Sequence, residues 1–300
     1  MEGKFRELVV ISGKGGTGKT SLAASLAVLA KGAVVADCDV DAADLHLVLQ
    51  PHDTQVHDFS CGHLARIRAG DCAGCGRCRE VCRFGAVSRE PQGDRFVIDP
   101  LSCEGCGACR LACPVGAIDF PARDCGRWMV SQTRCGTMVH AKLAAGAENS
   151  GKLVSLVRGQ ARMLAQQEGR ELVIVDGPPG IGCPVISSIT GASRVLVVTE
   201  PTVSGEHDLS RALELAGHFK IPAWVCVNKH DINPDLAGRI EGRARQAGAR
   251  VAGRIRYDGG FTQAQIQGRA VVETDAPSAG DIRAVWEQIQ GDLLGATQKG

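Results

Sequence analysis

The chain has 300 residues, enough for one large α/β domain or two modest ones around a substantial core. Its 34 Lys and Arg stand against 33 Asp and Glu, a formal charge of +1, and aromatic residues make up only 4%. That balance gives no electrostatic grip on nucleic acid or anionic lipid, and few aromatics leave no base-stacking surface.

The opening stretch, MEGKFRELVVISGKGG, has no apolar leader, and no later run is long enough to span a bilayer, so a cytoplasmic location is expected. The 14 cysteines are then expected as reduced thiols, and their spacing is read as metal ligation.

In chain order, Leu8–Ile11 is a buried strand, and Thr20–Ala30 an Ala/Leu-rich helix. Between them lies Gly13-Lys14-Gly15-Gly16-Thr17-Gly18-Lys19-Thr20, which fits G-x-x-x-x-G-K-[ST] and sits after a strand and before a helix. Its backbone N–H groups and the helix N-terminus suit a phosphate chain, with Lys19 reaching the β/γ-phosphates and Thr20 ligating Mg²⁺. A second strand over Ala33–Ala36 runs into Asp37-Cys38-Asp39, followed by Asp41 and Asp44. A carboxylate there can hold the attacking water or the Mg²⁺ shell, and Asp39 is preferred.

From about Val56 to Cys125 the α/β rhythm stops, and it resumes afterwards, so residues 57–125 are an insertion in a domain made of residues 1–56 and 126–300. Trp128 to Leu153 is read as a connector leading into a helix at Ser150. Leu172–Val175 is a further strand, and Asp176 at its end is a second Mg²⁺-directed carboxylate. Strands over Arg194–Val198, Ala223–Val227 and Arg250–Ile255 follow. Ile282, Val285, Trp286, Ile289 and Leu293 mark one stripe of a final helix. The expected fold is α/β, a mostly parallel sheet covered on both faces, carrying a small inserted α+β domain.

The insertion holds two blocks, Cys72-x2-Cys75-x2-Cys78-x3-Cys82 and Cys103-x2-Cys106-x2-Cys109-x3-Cys113-Pro114, repeating at an offset of 31 residues. Paired x2-x2-x3 runs favour cubane clusters over zinc, which takes two separated C-x2-C pairs per site. The pattern resembles bacterial two-cluster ferredoxins, with Arg83 standing where a proline is expected after Cys82. The resemblance implies two [4Fe–4S] clusters, one on Cys72, Cys75, Cys78 and Cys113, the other on Cys103, Cys106, Cys109 and Cys82. Arg66, Arg68, Arg77, Arg79 and Arg83 crowd the first block. They are read as a solvated surface, since the insertion holds similar numbers of acids, ahead of counter-charge or a docking face. Cys38 and Cys226 are read as core packing; Cys183 is read as packing by default, with a ligand to a cluster shared between subunits as the alternative, while Cys61, Cys125 and Cys135 have no assignment.

Lys14, directly after the first glycine of the loop, resembles the deviant Walker A signature of the MinD/Mrp/ParA-type ATPases, relatives of the nitrogenase iron protein. That resemblance covers most of residues 4–56 and 149–290. It implies a nucleotide-sandwich dimer, with itself or a paralogue, in which Lys14 touches the partner's nucleotide. It also implies Asp39 in switch I, Asp176 as the Walker B acid, and Gly177-Pro178-Pro179-Gly180-Ile181-Gly182 as switch II. Asn228-Lys229-His230-Asp231 spells the guanine motif N-K-x-D, but in this group the asparagine reads adenine, so Asn228 and Asp231 are placed at the base of ATP.

The function that follows is an ATPase coupled to [4Fe–4S] clusters, acting in gated electron transfer with a redox partner. The alternative is an iron–sulfur or metal-cofactor carrier serving an apo-protein, although no C-terminal C-x-x-C follows Cys183. Neither nucleic acid nor a membrane is expected as a partner.

Overall fold

A computed structural model of the chain describes residues 5–91, 93–144 and 150–294. The chain divides into two compact units, Met1–His57 with Trp128–Lys142 and Ser150–Gly300, and Asp58–Arg127 with Leu143–Asn149.

The larger unit begins with β1 (Arg6–Ser12), α1 (Lys19–Ala30), β2 (Val34–Asp37), α2 (Leu45–Leu49) and β3 (His52–His63), the last reaching into the smaller unit. The smaller unit contributes β4 (Arg66–Ile67), α3 (Arg77–Glu80), β5 (Val87–Arg89), β6 (Phe96–Ile98), α4 (Ala108–Ala112) and β7 (Ile118–Asp119). The chain returns through β8 (Ala122–Thr133) and β9 (Gly136–Leu143). It continues with α5 (Ser150–Gln167), β10 (Leu172–Pro179), α6 (Cys183–Ile189), β11 (Arg194–Thr199), α7 (Val203–His218) and β12 (Ala223–Asn228). It ends with α8 (Pro234–Gln246), β13 (Arg250–Ile255), α9 (Gly260–Ile266) and α10 (Pro277–Leu294).

The main sheet has the order β13-β12-β11-β1-β10-β2-β9-β8-β3. From β13 through β9 the neighbouring strands all run parallel, with Val10 beside Asp176 on one side and Leu196 on the other. Parallel strands are buried on both faces, which is why they are continuous in Val, Leu and Ile. On one face Leu8, Val10, Ile174, Leu196 and Cys226 pack with Leu22 and Leu26 of α1 and with Ile282, Val285, Trp286 and Ile289 of α10. The alternate residues Val9, Ile11, Val173, Val175 and Val197 point the other way by the period of two and are equally buried. Their cover includes α5, whose apolar stripe buries Leu153, Val154, Val157 and Ala161.

The stretch from Trp128, expected as a connector, instead forms strands β8 and β9, joined by a tight turn at Arg134 and Cys135. β3 runs antiparallel to β8, since Thr54 meets Ser131 and Cys61 meets Cys125. The polar residues that disguised these strands satisfy one another: Ser131 Oγ lies 2.8 Å from Thr54 Oγ1 and 2.9 Å from Nε2 of the buried His140. Burial, and then the neighbouring His46, depresses the pKa of His140 to about 4.

Within the smaller unit β4 pairs with β7 and β5 with β6, both antiparallel. Ala65, Cys78, Val87, Phe96 and Ile118 form its core, too few apolar residues to be a large one.

Candidate nucleotide site and cysteine centres

The loop between β1 and α1 forms one wall of a cavity of about 630 Å³, a volume suited to a cofactor-sized molecule. Gly15 through Ser21 line it, together with Asp39, Asp41 and Asp44 after β2 and Pro178, Pro179 and Pro184 around the end of β10. All of these lie at the carboxyl ends of parallel strands, where ligands of open α/β sheets bind. Gly18 opens α1 with φ 87°, and a Cβ there would come 2.4 Å from Asn228 Nδ2. Both its conformation and its neighbour therefore demand glycine.

Lys19 is buried at the head of α1. Its Nζ donates to Asp176 Oδ1 at 2.7 Å and lies 3.3 Å from Asp39 Oδ2. Burial works against the charge, but the carboxylates of Asp176 and then Asp39 outweigh it and hold the Lys19 pKa above its ordinary value. Asp39 itself is raised by burial, with Lys19 opposing and Asp176 reinforcing the shift. Three acids, Asp37, Asp39 and Asp176, thus crowd one lysine. The second oxygen of Asp176 and the hydroxyl of Thr17 are buried without a hydrogen-bond partner. An orphaned carboxylate oxygen beside Thr20 and Asp39 is the donor set a hard cation such as Mg²⁺ takes.

Asp37, for which the sequence suggested no separate role, lies beneath the cavity and is fully buried. One of its oxygens accepts from the backbone N–H of Asp39 at 3.2 Å and the other from that of Leu45 at 3.2 Å. The loop carrying Asp39, Asp41 and Asp44 is therefore pinned at both ends by one carboxylate. Burial, then the charge of Asp176, pushes the Asp37 pKa well up.

The remaining expected residues divide. Asn228 lines the cavity and its Nδ2 donates to the Thr17 carbonyl at 2.8 Å, tying β12 to the phosphate loop. Asp231 does not line it; its carboxylate accepts the Tyr257 backbone N–H at 2.7 Å. Arg256, Tyr257, Asp258, Gly259 and Phe261, which sequence reasoning missed, form the wall near Asn228. Their position just past β13 was the available signal. Gly13 and Lys14 lie outside the lining, and Lys14 Nζ is 2.5 Å from Glu200 Oε1 and 3.1 Å from Ser204 Oγ.

In the smaller unit, Cys72, Cys75, Cys78 and Cys113 line one cavity with Ile67, Phe96, Val115 and Ile118. Cys82, Cys103, Cys106 and Cys109 line another with Ala65, Phe84, Val87 and Ile98. Each cavity thus takes three cysteines from one block and the fourth from the other. Gly105, with φ 63°, lets its loop lie against β3, where a Cβ would come 2.3 Å from the His63 carbonyl oxygen. Among the described residues no three His, Cys, Asp or Glu are close enough to hold a single metal ion.

The other cysteines depart from expectation in two places. Cys61 and Cys125, expected as reduced thiols, form a disulfide between β3 and β8, their Cα atoms 5.7 Å apart. Cys183, expected in the core, is exposed, because α6 begins at this residue and turns its first position outward. Cys38 and Cys226 are fully buried strand residues, and Cys135 is buried in the β8–β9 turn. Among the described residues no helix is long and apolar enough to cross a membrane.

Residues 8–271 match the family model described as the CobQ/CobB/MinD/ParA nucleotide binding domain. The uncharacterized protein MJ0578 of Methanocaldococcus jannaschii is 36% identical over 235 residues, covering 77% of this chain and 80% of that protein. The cell division ATPase MinD of Pyrococcus furiosus has the same fold, with a TM-score of 0.56 at 16% identity over 95% of this chain and 98% of that one. MinD of Pyrococcus horikoshii, solved with Mg-ADP, gives a TM-score of 0.55 at 15% identity, covering 95% and 96%. With its phosphate loop opening the helix after β1 and its acids gathered at the ends of β2 and β10, the chain belongs to the CobQ/CobB/MinD/ParA nucleotide-binding family, whose MinD and ParA members are P-loop ATPases.

Proposed function

We propose that this chain is a Mg²⁺-dependent ATPase whose nucleotide-driven dimer, with itself or a paralogue, controls two [4Fe–4S] clusters held by the insertion over residues 57–125, and so gates electron transfer to a redox partner. The observation that carries the iron–sulfur part is the crossed composition of the two cysteine-lined cavities. It is the ligand exchange that a two-cluster ferredoxin requires. Each cubane, when bound, supplies one-electron transfer.

The residues would act as follows. The glycines of Gly13–Thr20 turn N–H groups to the phosphates, and Lys19 leaves Asp176 for the β/γ-phosphate oxygens. That exchange would free the Asp176 carboxylate, which with Thr20 would hold Mg²⁺, while Asp39 would orient the attacking water. Asn228 contacts adenine, with the wall past β13 closing the other side. Asp231 serves the site through the Tyr257 backbone and not by touching the base. Lys14 reaches the partner's nucleotide when the dimer closes. The Gly177–Gly182 turn responds to the γ-phosphate, since Gly180 N–H donates to the Ser12 carbonyl at 2.8 Å, at the edge of the phosphate loop.

The test is anaerobic purification followed by iron and sulfide analysis and by EPR of the reduced protein with and without ATP. Roughly eight iron and eight sulfide per chain, with a signal or potential that changes on ATP binding, is the expected result. Stoichiometric zinc without sulfide ends the cluster reading. Clusters that leave for an apo-acceptor during turnover point instead to a carrier.

A further inference from the structure

The two cysteine blocks are internal copies, so each is a control for the other. Residues Arg77–Phe84 correspond, 31 positions on, to Ala108–Val115. The first segment carries Arg77, Arg79 and Arg83 against Glu80, a charge of 3 − 1 = +2; the second carries Arg110 alone, +1. Lining a cavity therefore does not need Arg77 or Arg83, whose counterparts are Ala108 and Pro114.

In the first segment every side chain except Cys78 and Cys82 is exposed, including Val81 and Phe84 at 40% and 50%. The acids of the smaller unit that form ion pairs engage other arginines: Asp71 and Asp119 hold Arg68, Asp94 faces Arg89, and Asp58 faces Arg127. Among the described residues Arg77, Arg79 and Arg83 have neither ion pair nor side-chain hydrogen bond. The even count of acids and bases, which suggested a merely solvated surface, conceals this local excess. The segment also supplies Cys78 to one cavity and Cys82 to the other, so it borders both.

We infer that Arg77–Phe84 is a docking face for an acidic one-electron carrier protein. The guanidinium groups steer an anionic surface into place and Val81 and Phe84 give it a dry contact, a combination that sets encounter rate and orientation. A carrier seated there lies against the chain segment that reaches both cysteine-lined centres. This inference rests on the cluster reading for its purpose, though not for its binding.

The probe is flavodoxin, a small acidic carrier, titrated into the anaerobic full-length protein at low and raised salt, with basic cytochrome c as comparison. Arg77→Glu/Arg79→Glu/Arg83→Glu should weaken flavodoxin binding by at least about tenfold, and salt should weaken the wild type likewise. Arg110→Glu should change it little. The neutral triple Arg→Gln variant, which tests the face should the reversed one fold poorly, should fall between. Iron and ATPase activity, measured on the same samples, should be unchanged.

The inference is overturned if Arg110→Glu weakens binding as much as the triple variant, or if cytochrome c binds as tightly as flavodoxin. Heparin, RNA or anionic vesicles binding through the same arginines more tightly than flavodoxin would also overturn it, by showing a general polyanion surface. Arginine-dependent flavodoxin binding by a protein lacking iron would support the face while removing the cluster reading.

Discussion

Lys14 and Glu200 form an ion pair of 2.5 Å within one chain, with Lys229 on the same carboxylate at 3.1 Å and Ser204 also accepting from Lys14. In the proposed dimer, where Lys14 reaches a second subunit's nucleotide, this lysine starts out parked, and closure has to break the contact. Burial would raise the Glu200 pKa, but hydrogen bonds from Lys14 and Lys229 hold it below the ordinary range. The pair thus persists at neutral pH and is lost only as pH falls through that depressed value.

Lys14→Ala should accordingly leave nucleotide affinity within about threefold of wild type while lowering ATP turnover by at least about tenfold. Glu200→Gln should act in the opposite sense on assembly, favouring the ATP-bound dimer in sedimentation. An unchanged turnover in Lys14→Ala would remove the sandwich-dimer model.

Asp37 is the second point of leverage. Asp37→Ala leaves the N–H groups of Asp39 and Leu45 without their acceptor and should loosen the loop between them. ATP turnover should drop roughly tenfold with little change in KM, because the residue orients Asp39 and touches no phosphate. Hydrogen exchange over residues 39–45 should speed up in step. Unaltered exchange would mean that Asp37 is a buried acid without a positioning role.

Crossed cysteine sets make a sharper forecast than counting iron. Cys113→Ala should disturb the centre lined by Cys72, Cys75 and Cys78 and leave the ligand set of its neighbour intact. Cys82→Ala should do the reverse. EPR that shows each substitution affecting its own block's centre would replace the crossed arrangement with an uncrossed one.

His140 gives a pH dependence separate from the candidate nucleotide site. Its folded pKa of about 4 lies below the ordinary 6.5, so the neutral ring stabilises the fold fully above pH 6.5. That contribution is lost as pH falls towards 4 and amounts to about 2–3 kcal/mol. Denaturant titrations of wild type and His140→Gln should therefore converge at acid pH. Parallel curves from pH 7 to 4 would show that His140 titrates normally.

The nucleotide site was largely legible in the sequence because its chemistry is local. Eight consecutive residues make the phosphate loop, and Lys19, Thr20, Asp39 and Asp176 meet because Lys19 and Thr20 open α1, Asp39 follows β2 and Asp176 lies in the second half of β10. What stayed hidden was non-local. β8 and β9 look like a connector because Ser131 and His140 interrupt their apolar pattern, and only the contact of His140 with Ser131, and of Ser131 with Thr54, makes burial tolerable. Asp231 fits N-K-x-D by spelling, yet Lys229 turns the chain with φ 55° and sends the carboxylate to Tyr257. The cysteine spacing displayed two equal blocks, while the excess of unpaired arginine beside one of them needed the ion pairs of the whole unit to be known.

The bond between Cys61 and Cys125, 64 positions apart, makes a covalent ring of the chain between them, and that ring contains all eight cysteines of the two blocks. A single protease cut inside the ring would leave the protein in one piece on a non-reducing gel. A disordered loop of this length closes at an entropic cost of about 4 kcal/mol, which the bond removes from refolding. If the proposed clusters are bound there, chain that has lost them would stay tethered at the root of the insertion, held where its thiols can be refilled.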